Sequence, residues 1–576
     1  VALTILGLSG ALGHDSAAAL YVGGKLIAAA EEERFVRAKH ARNRIPYESA
    51  KFCLEQAGIA PSNVDIVTIA YAPISIFGKA RWHYARHHWY APDHSLDAIL
   101  MGNRRFKRFR RKILWCLEQL GFDVGTVRLQ PVEHQLAAAS SAYYCSGFKE
   151  KTAILCIGDN EEYATTFFGY GERGKIHIIK EFYAPESLGA LYAALSEYLG
   201  FDKLDGQLSA MSMAAYGDAT RYDFSRLARF ENGELIINTD YVNVVGSRRY
   251  KEEGKYYSFS SKLVEWLGPR PEETAAEAPY VDYAASMQAL VEKLALEMMD
   301  YYLGDILRET GKIAFAGSCS MNLKLNQRII ARPEVQELFV QPAFGEAGVS
   351  VGAAAYISEQ QGVPVEKMEN VYLGPNYSNE DVIAACVSHL DKPQWQLIED
   401  APEYIADILA EGHPVAWFQG RMEFGPHAMG NRSILGCPSV VGVVERIKSQ
   451  LKVCVPWRPF NSSMLDTAAT QMLEIDHPST FMNFAFDVKD KYKRRVAEIV
   501  REDNTARIQV LKREHNPRYY DLMIHMERLT GNGVLLSTSL NPDGEPMACS
   551  PKEALDMFFS SDLQYLVMED VLVVKA

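Results

Sequence analysis

Paired cysteines are missing from this chain. Its nine cysteines (Cys53, Cys116, Cys145, Cys156, Cys319, Cys386, Cys437, Cys454 and Cys549) lie far apart, with no Cys-x-x-Cys among them. That spacing argues against a disulfide framework and a thiolate zinc site, and for a reducing, cytoplasmic location. Long apolar runs are missing too. The longest are strand-sized, short of the roughly 20 residues that span a bilayer, and no charged-then-apolar leader opens the sequence. No membrane partner is expected. Positive charge is in deficit: 60 Lys and Arg against 73 Asp and Glu leave a net charge of −13. Such a balance disfavours non-specific nucleic-acid binding by the molecule as a whole. Low-complexity tracts and short internal repeats are likewise absent.

What remains is a globular composition, 48% apolar and 23% charged over 576 residues, too long for one ordinary core. Leu3 to Leu8, Ala17 to Val22 and Lys25 to Ala30 read as strands, the last two joined by a Gly23-Gly24 turn. Thr152 to Ile157, Ile313 to Ala316 and Leu338 to Gln341 read as further core strands. Helical periodicity marks Tyr47 to Ala57, Leu188 to Leu199 and Ser286 to Leu307. Around Gly362 to Pro375 the pattern resets, which predicts a domain join, with domains at 1–365 and 366–576.

One region runs against the acidic trend. Lys79 to Tyr90 interleaves cations with aromatics, and Arg104 to Lys112 places seven cations in nine residues. This composition suits a phosphate backbone; an amphipathic helix with solvated cations accounts for it slightly better.

The richest motif is Trp417 to Ser433, with glycines at 420, 425 and 430 around Arg421, Glu423, Asn431, Arg432 and Ser433. It follows an expected buried strand, Val415 to Phe418. Glycines permit tight turns and arginine forks suit phosphate or carboxylate, so an anion-handling turn is expected. Lys452, Arg458, Arg507 and the Ser537-Thr538-Ser539-Leu540-Asn541 stretch extend the same character downstream.

These segments resemble the signatures of the O-carbamoyltransferase family, which includes nodulation protein U and antibiotic-tailoring enzymes. The resemblance includes Gly13-His14-Asp15-Ser16 and the Glu31 to His40 block near the start, and it continues in order along nearly the whole chain. It implies an α/β architecture: an actin/hexokinase-like domain akin to the tRNA threonylcarbamoyl transferase, then a YrdC-like domain. It also implies ATP and carbamoyl phosphate as co-substrates, Mg²⁺ with ATP, a carbamoyl-adenylate intermediate, and transfer to an acceptor hydroxyl. The acceptor expected is a small molecule such as a sugar or secondary metabolite, with a hydroxymethylated pyrimidine in DNA motivated by residues 79–112. A homodimer is left open.

By the same resemblance Arg421, Glu423, Asn431, Arg432, Ser433, Lys452, Arg458, Arg507, Ser537, Thr538, Ser539 and Asn541 are the expected ATP and carbamoyl phosphate contacts. His14 is the expected base, since a turn imidazole titrates near neutrality, and Lys39 is placed in the same cleft. The family's metal site, for Fe²⁺ or another divalent ion, is depleted. His134 and Glu346 remain in register, but Ala138 stands where a second histidine is usual, and Asp159 reaches the site only with a one-residue shift. His427 replaces a family arginine. These losses support an alternative: a non-catalytic or half-active homologue serving as partner subunit or ligand scaffold.

Overall fold

Short aliphatic runs bounded by glycine and polar turns build three main sheets in the computed structural model. It describes residues 2–74, 79–86, 103–159, 163–202, 204, 206–242, 250–252, 254–271, 277–451, 460–474, 477 and 479–575. The chain divides into two compact units, residues 1–27 with 43–368, and residues 28–42 with 369–576.

In the first unit, β1 (Thr4–Leu8), β2 (Ala17–Val22), β3 (Lys25–Glu31), β4 (Ile66–Ile69) and β5 (Leu129–Pro131) form a sheet of order β3-β2-β1-β4-β5. β2 runs antiparallel to β1, whereas β4 and β5 continue in parallel. A second sheet repeats this plan. β6 (Thr152–Ile157), β7 (Ala164–Glu172) and β8 (Lys175–Tyr183) form an antiparallel meander. Two small hairpins follow, β9 (Ala228–Glu231) with β10 (Glu234–Ile237) and β11 (Tyr250–Glu252) with β12 (Lys255–Tyr257). Then β13 (Lys312–Ala316) and β14 (Glu337–Val340) add to β6 in parallel, giving β8-β7-β6-β13-β14. A duplicated 3-2-1-4-5 sheet is the actin/hexokinase-like plan that the opening hairpin predicts. The duplication itself is a repeat of topology without a repeat of sequence.

In each half a helix follows the last parallel strand and crosses to the other half. His134–Ser146 packs on β6, β7 and β13, and Glu346–Gln360 packs on β1, β2 and β4. The two helices also pack on each other. Close approach requires small residues here: a Cβ on Gly352 would lie 1.8 Å from the Ala137 carbonyl oxygen. Hence the Ala-rich, almost wholly buried faces of both helices.

The second unit is built on one nine-stranded sheet. Its strands are β15 (Trp395–Leu397), β16 (Val415–Phe418), β17 (Arg432–Gly436), β18 (Asn461–Leu465), β19 (Ala485–Asp487), β20 (Thr505–Leu511), β21 (Val534–Ser539), β22 (Tyr565–Met568) and β23 (Val571–Val574). Their order is β15-β23-β22-β16-β17-β21-β18-β20-β19. Residues 28–42 group with this unit, which differs from the contiguous boundary at 365. Arg34 donates to the Gly425 carbonyl at 2.9 Å, Glu31 accepts from Gly425 N–H at 2.7 Å, and Arg37 donates to the Met547 and Pro546 carbonyls at 2.7 and 2.8 Å. Phe35 packs against Met422, Ala428, Met547 and Cys549.

Candidate functional site

The glycine-rich motif forms the connection between β16 and β17, at the middle of the large sheet. The loop's own carboxylate occupies its amide nest. Glu423, 1% exposed, accepts from the N–H groups of Met429, Asn431 and Arg432 at 2.7, 2.8 and 3.2 Å. Arg432 is 0% exposed and donates to the carbonyls of Gln419, Asn431, Pro375 and Gly420 at 2.6 to 3.1 Å. Its guanidinium lies 3.6 Å from the Phe418 ring centroid.

Both Glu423 and Arg432 are enclosed and brace the turn from within. Arg421 donates to the Gly374 carbonyl at 3.1 Å and to the Leu373 carbonyl. Asn431 bridges the Arg421 carbonyl and the Asn516 amide, at 2.7 and 2.8 Å. Gly430 is required on two grounds, its φ of +93° and a Tyr519 ring atom 2.3 Å from any added Cβ.

Beside this turn lies a polar row across the sheet. Asn461 on β18 pairs with Ser537 on β21, Ser537 pairs with Leu435 on β17, and the pairing of Ser462 with Ile508 puts Arg507 beside Asn461. Because register partners share a face, Arg507, Asn461 and Ser537 point the same way. Ser433, Ser537 and Ser539 share that face, with the Ser537 and Ser433 hydroxyls 3.1 Å apart. Thr538 points to the other face, and Asn541 closes the following turn on the Pro542 and Glu545 carbonyls.

Arg507 is 4% exposed and donates to the Met482 carbonyl at 3.2 Å and to His427 Nε2. Burial, then the Arg501 charge, acts against its own charge, and among the described residues no carboxylate pairs with it. Burial also pushes His427 well below the ordinary histidine value, and the Arg507 and Lys39 cations push the same way. His427 is therefore the neutral acceptor of an arginine N–H. The buried Asn461 Oδ1 has no partner among the described residues. A buried cation without an acid among the described residues is costly, and a bound anion would offset that cost. Lys452 and Arg458 lie outside the described residues.

A neutral His427 makes stability pH-dependent. Its folded pKa is depressed, so its contribution is fully present above the ordinary value of 6.5 and is lost as pH falls below it. Replacing His427 by Gln is expected to flatten the dependence of the unfolding free energy on pH below about 6.5. Urea titrations between pH 5 and pH 8 measure it; an unchanged slope refutes the neutral imidazole.

In the first unit His14 occupies the β1–β2 turn, its Nδ1 2.8 Å from Asp15 Oδ2 and its side chain 28% exposed. That pairing orients the ring and directs Nε2 away from Asp15. Lys39 groups with the second unit, where its charge opposes protonation of His427.

His134 and Glu346 begin the two crossing helices, as equivalents in the duplicated fold, with Nδ1 and Oε1 3.9 Å apart. Ala138 follows one turn after His134 on the same face. Asp159 is held instead by the Ser318 hydroxyl at 2.8 Å and the Gln207 amide at 3.2 Å. Among the described residues these three side chains do not converge within the 4.8 Å of a shared ion. The donor set does not fit a resident divalent metal with three protein ligands, and the Asp159 ligand is corrected.

Sequence comparison adds an independent finding. The carbamoyltransferase N-terminus model matches residues 4–355, and the carbamoyltransferase C-terminus model matches residues 406–575. The chain is 32% identical to an uncharacterized protein of Synechocystis sp., covering 99% of this chain and 96% of that one. It is 30% identical to nodulation protein NolNO of Sinorhizobium fredii, covering 98% and 79%. It is 23% identical to nodulation protein U of Rhizobium tropici, covering 92% and 90%. Among solved structures, MreB5 of Spiroplasma citri aligns with 62% of this chain and 96% of its own at 11% identity, with a TM-score of 0.29. That score carries no argument, so the fold assignment rests on the sheet order.

Proposed function

The chain belongs to the carbamoyltransferase family, and from that premise we propose that it forms carbamoyl-adenylate from carbamoyl phosphate and ATP and transfers the carbamoyl group to an acceptor hydroxyl. One observation carries the activation half: the enclosed Arg507, with neutral His427 beside it and no compensating carboxylate among the described residues. In this reading water hydrolyses carbamoyl phosphate to carbamate and phosphate, the carbamate oxygen attacks the α-phosphorus of ATP, and pyrophosphate leaves. Negative charge builds on the transferring phosphoryl oxygens, and a preorganised guanidinium stabilises it without reorganisation. Asn461 and Ser537 supply neutral polar groups on the same face. Mg²⁺ enters with ATP as its counter-ion.

In the transfer half, His14 takes the proton of the acceptor hydroxyl as its oxygen attacks the carbamoyl carbon, and AMP departs. Asp15 holds the ring and stabilises the imidazolium that forms. No step is routed through a metal at His134 and Glu346. The decisive assay is pyrophosphate release from ATP with carbamoyl phosphate, which needs no acceptor. Without nucleotide binding or turnover, the partner-subunit alternative replaces the enzyme mechanism proposed here. His14→Ala is expected to leave pyrophosphate release unchanged and to lower carbamoyl transfer by about 10²–10⁴-fold, measured with radiolabelled carbamoyl phosphate. Normal transfer by that variant removes His14 from the mechanism.

A further inference from the structure

The helix Arg104–Gln119 buries Phe109, Ile113, Cys116 and Leu117 and leaves Arg104, Arg105, Lys107, Arg108, Arg110 and Arg111 exposed. None of the six forms an ion pair among the described residues. Elsewhere in the first unit exposed cations find acids, as Lys151 does Glu309 at 2.7 Å and Lys262 does Asp240 at 2.8 Å. Three features make this ridge unfavourable by itself. Like charges sit at i,i+3 and i,i+4 spacing (104 with 107 and 108, 107 with 110 and 111), which destabilises a helix. The cations begin at the helix N-terminus, where the macrodipole favours anions. The first turn carries no acid, and Asn103 provides no side-chain cap. In a chain of net charge −13, a cationic ridge with no acidic partner among the described residues is a place where an anion from outside offsets the like-charge repulsion.

The ridge is fastened to the turn that carries His14. Lys112, on the same helix, donates to the Ala11 carbonyl at 3.0 Å and to the Asn43 carbonyl at 3.4 Å. On its other side, Arg105 acts electrostatically on Tyr84, in the helix Lys79–Arg86. That helix lines a groove of about 840 Å³ with Lys79, Trp82 and Arg86, and Trp82 is 60% exposed. Glu186 lines the groove as well, and the neighbouring Ser187 hydroxyl binds the Gly158 and Asp159 carbonyls at 3.2 and 3.1 Å.

We propose that this ridge is a track for the phosphodiester backbone of a nucleic-acid strand, which carries the acceptor hydroxyl to the His14 turn. Residues 104 to 111 span about 10 Å of helix, matching about three phosphates at roughly 3.4 Å of rise per strand charge. Exposed Trp82 beside cations is a stacking platform for a base. A bilayer fits less well, because the apolar face of the ridge helix is already buried in the protein and cannot insert. Recognition of the strand rests on the ridge alone; its role as acceptor rests on the carbamoyl-transfer reading.

The test uses the full chain, fluorescein-labelled 20-mers of single-stranded DNA, duplex DNA and RNA, and the triple variant Arg104→Glu, Arg108→Glu, Arg111→Glu. Binding by anisotropy is expected to weaken about 20-fold for single strands, or about 40-fold for duplex, between 50 and 200 mM salt, for three neutralised phosphates. The triple variant is expected to bind at least tenfold more weakly, to melt no lower than the parent, and to release pyrophosphate at the parent rate. Three results overturn the proposal: no oligonucleotide binding, equal binding to polyglutamate of matched charge, or binding only to vesicles of phosphatidylserine in phosphatidylcholine. Oligonucleotide binding with the expected salt dependence but no pyrophosphate release leaves the ridge standing and removes the activation mechanism. Pyrophosphate release without oligonucleotide binding does the reverse.

Discussion

Arg507→Ala is expected to lower pyrophosphate release from ATP and carbamoyl phosphate by about 10²–10³-fold in kcat, the usual effect of losing one preorganised charge at a transition state. It is also expected to leave the protein at least as stable as the parent. The second expectation follows from its surroundings. Arg507 is enclosed, donates to one backbone carbonyl and one neutral imidazole, and has no carboxylate partner among the described residues. A side chain buried at such electrostatic cost is retained for what it binds. Steady-state pyrophosphate assays and thermal melts of the same preparation distinguish this from a structural role: a folded variant with full activity removes Arg507 from the site, and a variant that melts far lower assigns it to the scaffold.

Glu423→Ala is expected to show the opposite pattern, a loss of stability of about 3–5 kcal/mol. The carboxylate accepts three buried backbone N–H groups and favours the charge on buried Arg432 more than any other nearby group among the described residues. Its removal leaves three buried N–H donors without an acceptor and takes from Arg432 one of the groups that favour its charge. Glu423→Gln keeps an acceptor oxygen but loses the charge, so it is expected to fall between alanine and the parent. Urea denaturation with an unchanged m-value measures both. An alanine variant within about 1 kcal/mol of the parent contradicts the enclosed-nest geometry.

These two residues lie in motifs that read alike in sequence, each a charged group in an anion-handling context. Burial separates them. Arg432 and Glu423 satisfy the loop from within, whereas Arg507 has polar neighbours and no acid among the described residues. His427, which a motif comparison counts as a lost cation, is the acceptor of the Arg507 N–H and keeps that side chain in place. A signal for the role of residues 31–37 was present: three glutamates and two arginines run on from a buried apolar strand, where charges need partners. Their partners at Gly425, Pro546 and Met547 are some 400 to 500 positions away, and no local pattern announces them.

Local chemistry was enough to determine the elements themselves. Strands at Ala17–Val22, Thr152–Ile157 and Val415–Phe418 and the helix Tyr47–Ala57 fall where apolar periodicity and glycine turns place them, because each depends on neighbours within a few residues. Family and overall architecture followed from the ordered motifs. Only the tertiary structure decided which charged groups brace the backbone, that Asp159 is engaged by Ser318 and Gln207, and that the first unit is one sheet plan used twice. Those outcomes depend on desolvation and on partners brought together from distant segments, and the free energy of a charge is set by what surrounds it in space.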